Sequence, residues 1–261
     1  MNEFQLVFGV GLLAASLTWL GVPLAEFFNV PDRVVSGALQ FASGVIVGLV
    51  ALTLMPPAID AGSMVWIALA FFVGGALFVG FEYYAALRAA TQGAEVPGVI
   101  LSDTEAANVA TNPVAEPRSL ALYVGILVDL LVDGMVIGIS STLTPAAGLA
   151  VALGLAVSTM PLAFVTIAMA KRQGISAKAR RWLGWLFIGC IMVGTLLGFL
   201  LLRNQPIGVR VVLIGLASGF LITTVTQSMI PEANRDGEPS LAGIFFVGGL
   251  SIYALMAIVM K

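Results

Sequence analysis

The run Gly125–Ser140, GILVDLLVDGMVIGIS, sets two carboxylates, Asp129 and Asp133, into a stretch with almost no other polar residue. On an α-helix, positions four apart lie about 40° apart around the axis and about 6 Å apart along it, so both side chains leave one face. Each ionised aspartate near the centre of a membrane helix costs roughly 2.5–3.5 kcal/mol on insertion scales. Something has to offset that cost: a bound cation, protonation of one carboxylate by its neighbour, or hydrogen bonds from other helices. Ser158 and Thr159, and Gln227 and Ser228, recur at similar depth in other apolar runs and offer oxygen ligands. Pro161, close behind Thr159, removes a backbone hydrogen bond and frees carbonyls near the same level. These carbonyls are either cation ligands or part of a kink of the kind membrane helices tolerate. The structural alternative for the aspartates is that they hold helices together, a task asparagine would perform more cheaply.

Composition shows why those carboxylates are costly. Of 261 residues 59% are hydrophobic and only 10% charged, and the mean hydropathy is +1.05. Soluble domains carry about 25% charged residues, so this chain cannot cover a globule with polar surface and expects a lipid bilayer as solvent. A net charge of −2 argues against nucleic acid as a partner. One cysteine, Cys190, excludes an internal disulfide and a thiolate cluster. The absence of histidine removes the commonest transition-metal ligand. The N-terminal stretch MNEFQLVFGVGLLAASLTWLG has no basic leading region and reads as a first span, not a cleaved signal.

Apolar runs predict eight membrane helices, at about 5–22, 34–57, 64–87, 119–140, 146–170, 182–202, 207–230 and 241–260. The connection at about 89–118 is acidic and rich in Pro, Ala and Asn, which predicts a mobile loop. Nine of the twelve Lys and Arg residues, including Lys171, Lys178 and Arg181, fall in the connections after odd-numbered spans. Arg203, Arg210 and Lys261 fall on the other side. The basic side is expected to be cytoplasmic and both termini extracytoplasmic.

The chain also repeats itself. ASGVIVGLVALTLMPPA (Ala42–Ala58) aligns without a gap to ASGFLITTVTQSMIPEA (Ala217–Ala233), and FFVGG occurs at Phe71–Gly75 and again at Phe245–Gly249. Spans two and seven differ by an odd number, so the repeats run in opposite senses across the membrane. Inverted repeats characterise alternating-access transporters, with the substrate site near the midplane. Spans four and five lie between the repeats, and the aspartates lie in span four.

These residues resemble the ZIP (Zrt-, Irt-like) divalent-metal transporters over essentially the whole chain. The family's fourth-span motif, H-N-x-P-E-G, aligns with Asp129-Leu130-Leu131-Val132-Asp133-Gly134, so the aspartates fall on a ligand histidine and a ligand glutamate. Its fifth-span motif, Q/H-N-x-P-E-G, aligns with Ser158-Thr159-Met160-Pro161-Leu162-Ala163, where only the proline is kept and the ligand glutamate has become Leu162. The seventh-span pattern D-E-x-x-P-E aligns with Gln227-Ser228-Met229-Ile230-Pro231-Glu232. The resemblance implies an all-α membrane protein forming a single transmembrane domain over 1–261. Inverted three-helix repeats, about 5–88 and 182–260, would flank a central pair at about 119–171, a 3+2+3 arrangement of eight helices. It also implies a homodimer, and a place in the plasma membrane, which in a bacterium is the inner membrane.

The departures from the motif have chemical content. Carboxylate, hydroxyl and amide oxygens suit magnesium, calcium and manganese, while imidazole and thiolate favour zinc and later metals. The candidate metal-site residues are Asp129, Asp133, Ser158, Thr159, Gln227 and Ser228, holding at most one cation once the fifth-span glutamate is gone. Met135, Met160 and Met229 could line a soft copper(I) site, though methionine usually fills gaps. The first expectation is a transporter of a divalent cation of the zinc, manganese, iron or magnesium class, with no prosthetic group. The alternatives are a carrier of another solute or of protons on the same scaffold, and a non-transporting relative with a sensing or partner role. An intramembrane aspartyl protease needs its aspartates on different helices and a G-x-G-D motif, so no enzyme is expected. Glu82 is expected to reach the membrane interface, Glu26 and Asp32 to belong to the first connection, and Lys171–Arg181 to determine topology.

The charge asymmetry makes the topology testable. A Lys178→Cys variant should resist a membrane-impermeant thiol reagent in intact cells and react after permeabilisation. Labelling of intact cells would reverse the orientation.

Overall fold

The computed structural model describes residues 3–28, 32–61, 64–90, 120–234 and 242–259, and among them all regular structure is helical. In chain order the elements are α1 (Glu3–Trp19), α2 (Gly21–Phe27), α3 (Asp32–Leu49), the π turn π1 (Val50–Leu54), α4 (Met55–Ala61), α5 (Met64–Ala90), α6 (Leu120–Ser141), α7 (Pro145–Arg172), α8 (Ala177–Leu202), α9 (Ile207–Thr224), π2 (Val225–Met229), α10 (Ile230–Ala233) and α11 (Ala242–Val259). Seven described rods are long and apolar enough to cross a membrane, and Gly243–Val259 is a shorter apolar helix. The multi-pass membrane character expected from composition therefore holds. The connection expected to be mobile lies, from residue 91 onward, outside the described residues.

Local sequence explains where the rods begin and end. Thr144 caps α7, its side chain accepting from the Ala147 amide at 3.0 Å, with Pro145 at the first helical position. At the other end Gly174 takes φ +75°, and the amides of Gly174 and Ile175 donate back to Lys171 and Ala170 at 3.1 Å. That is a glycine-closed helix end, and only glycine adopts the conformation without strain. The α8 N-terminus follows at once, with the Ser176 side chain as its cap.

Apolar contact between helices gains little in lipid, so helix packing there favours small residues that let backbones touch. Three helix pairs show this. A Cβ on Gly134 or Gly138 of α6 would run into the carbonyl oxygens of Ile191 or Thr195 on α8, and one on Gly194 or Gly198 of α8 would strike those of Leu131 or Met135. Gly44 of α3 meets the Phe246 carbonyl of α11, and Gly249 meets that of Phe41. Gly219 of α9 meets the Phe71 carbonyl of α5, and Gly74 meets that of Leu216.

The last two pairs correspond residue by residue. Gly44 and Gly219 stand 175 positions apart, as do Phe41 and Leu216, Phe71 and Phe246, and Gly74 and Gly249. The π turns, Val50–Leu54 and Val225–Met229, are separated by the same interval. The FFVGG letters match at an interval of 174, so the contacts equate positions one residue away from the letter match. The one-residue gap between the two sequence blocks disappears in three dimensions.

Polar contacts sort the helix ends into two groups. At one end Arg180 holds Glu26 through two bonds, at 2.6 and 2.8 Å. Tyr123 donates to Gln173 at 2.8 Å, Gln40 donates to Asn234 at 3.0 Å, and Ser36 donates to the Ala233 carbonyl. At the other end Arg210 donates to the carbonyls of Thr142, Arg203 and Gln205 at 2.7–2.9 Å. This cation gathers carbonyls left over where α6 and α8 end.

The glycine contacts are testable on stability. Gly134→Ala and Gly219→Ala should each destabilise the protein by about 1–3 kcal/mol through overpacking. Gly189→Ala on α8, where nothing lies within 4 Å of the new methyl, should be neutral or stabilising by up to about 1 kcal/mol. Thermal melts in one detergent compare all three.

Candidate functional site

α6 carries both aspartates because the rest of its 22 residues is apolar, small or hydroxylic and its glycines bind it to α8. Asp133 is buried, at 3% exposure, and Asp129, one turn earlier, is half-buried. The two side chains leave the same face of α6. The Oδ1 atom of each is buried without a hydrogen-bond partner. A buried acceptor left unpaired costs about 1–3 kcal/mol, so the pair is an energetic liability as it stands.

Counting from the α6–α7 connection fixes what lies level with the pair. Asp129 is twelve residues before Ser141 and Val157 twelve after Pro145, the two ends of the hairpin. By that count Ser158 and Thr159 fall near the depth of Asp129, and both are buried. Their hydroxyls contact the Leu155 carbonyl at 2.9 and 2.8 Å. The Thr159 oxygen also lies 2.6 Å from that of Thr18 on α1, which in turn reaches the Ala14 carbonyl at 3.0 Å. Two hydroxyl protons cannot serve three such contacts at once, so the threonine pair has an acceptor site to spare. Pro161 leaves the Val157 carbonyl without its usual i+4 donor, and Val157 is on the exposed face of α7.

The seventh-span candidates sit elsewhere. Gln227 is exposed, and Ser228 donates to Glu82 of α5 at 2.9 Å. The α9 residue placed beside Asp129 is Thr224, whose hydroxyl donates to the Phe220 carbonyl at 3.1 Å. The ITTVTQS run contains Thr224 but offers no reason to choose it over Gln227. The choice is made by π2, which begins at the next residue and turns the following side chains away from an α-helical register.

Two further expectations change. Glu82 does not simply extend to the interface: it is half-buried and accepts from Ser228. Glu26 lies within the helical turn α2, not an open connection, and ties α2 to α8 through Arg180 while its carbonyl accepts from Lys171 at 3.0 Å. Thr53 of π1 pairs with Tyr253 of α11 at 2.7 Å. Thr53 and Ser228 are again 175 positions apart, so each π turn offers one hydroxyl to a polar group on the helix it packs against.

Among the described residues no three His, Cys, Asp or Glu side chains come together as a metal-binding group. The oxygens near the pair are the two carboxylates and Thr224, with Ser158 and Thr159 falling by residue count near the depth of Asp129 and about one and a half turns from that of Asp133. Such a set can hold one hard cation, or exchange a proton between neighbouring carboxylates. No protein-family model matches the chain, and no curated protein matches its sequence.

The unpaired oxygens make a stability prediction. Without added metal, Asp133→Asn should melt at or above the parent, gaining up to about 2 kcal/mol because an amide is cheaper to bury than a charge. Thr224→Val should lose about 1 kcal/mol by removing the hydroxyl beside Asp129. A marked drop for Asp133→Asn in thermal melts would mean that protein groups already satisfy that carboxylate.

Proposed function

We propose that the chain is a multi-pass transporter that moves a divalent cation across the plasma membrane through a midplane site on α6, built on a ZIP-like scaffold. The observation that carries the proposal is the pair Asp129 and Asp133, each with a buried Oδ1 that no protein group satisfies. Paired carboxylates that hydrate poorly and lack a protein donor have the charge and the free lone pairs that a dehydrating cation needs. The shared interval of 175 between the α3–α11 and α5–α9 contacts, with a π turn in each repeat, supports an inverted-repeat reading of eight helices in a 3+2+3 order. In that reading the repeats rock about the central pair α6 and α7 and expose the site to each side in turn.

Oxygen ligands favour manganese, magnesium or iron(II) over the strong zinc preference a histidine site would have. The basic side, carrying Lys178 and Arg181, faces the cytoplasm in this proposal, with both termini outside. A second reading, a proton-coupled carrier of another solute, draws on the same adjacency: two carboxylates one turn apart can pass a proton between them.

Uptake into proteoliposomes tests the proposal. Protein reconstituted with a manganese-sensitive dye inside should show dose-dependent manganese uptake. Asp129→Asn and Asp133→Asn should each lower it about tenfold or more, since the remaining charge cannot balance the ion. Metal-induced thermal stabilisation should vanish with it. An Asp133→Asn protein that keeps full uptake and full stabilisation would show that the carboxylates are not the site.

A further inference from the structure

We infer that the groove between α1 and α8 binds one anionic phospholipid, its phosphate held by Lys178 and Arg181 and an acyl chain lying along the wall beneath. The inference depends on the chain sitting in a bilayer and not on what the chain carries.

The groove has a volume of about 460 Å³ and is lined by Leu12, Ser16, Leu17 and Trp19 of α1, by Leu20 just after it, and by Trp185 and Ile188 of α8. From Leu12 to Leu20 it follows eight residues of helix, about 12 Å at 1.5 Å per residue. One leaflet of hydrocarbon is about 15 Å deep, so the wall matches most of one acyl chain. Trp19 and Trp185 meet at 6.0 Å between ring centroids, tilted by 37°, and Trp182 and Trp185 are 63% and 60% exposed. Tryptophans gather at the headgroup level of a membrane, which sets that end of the groove at the lipid–water boundary.

The cations stand directly above it. Lys178, Arg181, Trp185 and Ile188 follow one another at intervals of three, four and three residues, a single stripe on α8. Lys178 is seven residues, about 10 Å, beyond Trp185 toward the water. Residues 171–181 contain five cations and no acid. Glu26 engages Arg180 with its carboxylate and Lys171 with its carbonyl, while Lys178 and Arg181 are exposed. A cationic head, an aromatic belt and an apolar trough aligned on one helix face match an anionic phospholipid in charge and in depth. A soluble acidic peptide would use the cations and leave the trough uncovered.

Quenching by brominated lipids tests this on the full chain, in a Trp66→Phe background that removes the one tryptophan outside this region. Brominated phosphatidylglycerol should quench the remaining tryptophans at a many-fold lower mole fraction than brominated phosphatidylcholine. At roughly fivefold per basic residue near the membrane surface, Lys178→Gln with Arg181→Gln should lower that preference by about 25-fold, to near parity. Ser16→Phe, which fills the groove and leaves the charge intact, should raise several-fold the mole fraction of brominated phosphatidylglycerol needed for quenching. Three results would overturn the inference: equal quenching by both lipids in the parent, a preference that survives the double substitution, or displacement of the lipid by soluble glycerol phosphate at millimolar concentration, which would show headgroup binding without the groove. Both exposed-residue variants leave the glycine-packed helix pairs untouched, and their thermal melts verify that they fold.

Discussion

Within a bilayer a helix cannot gain from hiding apolar surface against another helix, because the lipid it displaces is as apolar as its neighbour. Close packing has to come from backbones brought within van der Waals reach, and in this protein glycine supplies that reach in the three helix pairs above and again where Gly21 of α2 meets the Met160 carbonyl of α7. The α6–α8 pair matters most. Gly134 and Gly138 commit one face of α6 to α8, and this fixes the rotation of α6 about its axis. Asp133 precedes the first of these glycines, so the same contact that stabilises the pair decides where the carboxylate points. A side chain at Gly134 would move the helix outward and the charge with it.

The cost of the two aspartates is understandable only against that rigid background. A mobile helix could rotate its carboxylates toward the interface and hydrate them, as long charged side chains do when they snorkel. α6 has no such freedom. Its carboxylates stay in the bundle, Asp129 beside Thr224, with an oxygen of each left open. Buried ionisable residues held in this way are rare in membrane proteins and mark pathways for ions or protons. The threonine contact ties α1 to α7, Arg180 ties α8 to α2, and Arg210 of α9 holds the Thr142 carbonyl just past the end of α6, so the open oxygens are features of a fixed frame.

The π turns give the frame its second property. Each widens a helix by one residue per turn and is a weak point in the hydrogen-bond ladder. They occur at equivalent positions, and each presents one hydroxyl to a polar partner: Thr53 to Tyr253 and Ser228 to Glu82. Glu82 and Tyr253 are polar residues in helices with broad lipid-facing surfaces, and these bonds explain how each is accommodated there.

Seven long apolar rods and a shorter eighth helix, their approximate ends, the paired aspartates and the repeated ASG blocks were all legible in the chain, because lipid demands long apolar runs and a charge or a glycine in such a run is conspicuous. The choice between Thr224 and Gln227 was not legible. It depends on π2, an extra residue in one turn, which leaves no mark in a pattern read at 3.6 residues per turn. The one-residue gap between the FFVGG blocks misled for a related reason: letters can match at 174 while backbones meet at 175, since a contact is made by the carbonyl and the glycine opposite it and not by the identity of the phenylalanine. The roles of Glu82 and Glu26 depended on neighbours more than a hundred positions away, Ser228 and Arg180. Apolar periodicity determines which segments enter the membrane. Only packing decides which face of each segment meets which neighbour, because rotation about a helix axis costs nothing until another backbone is in contact.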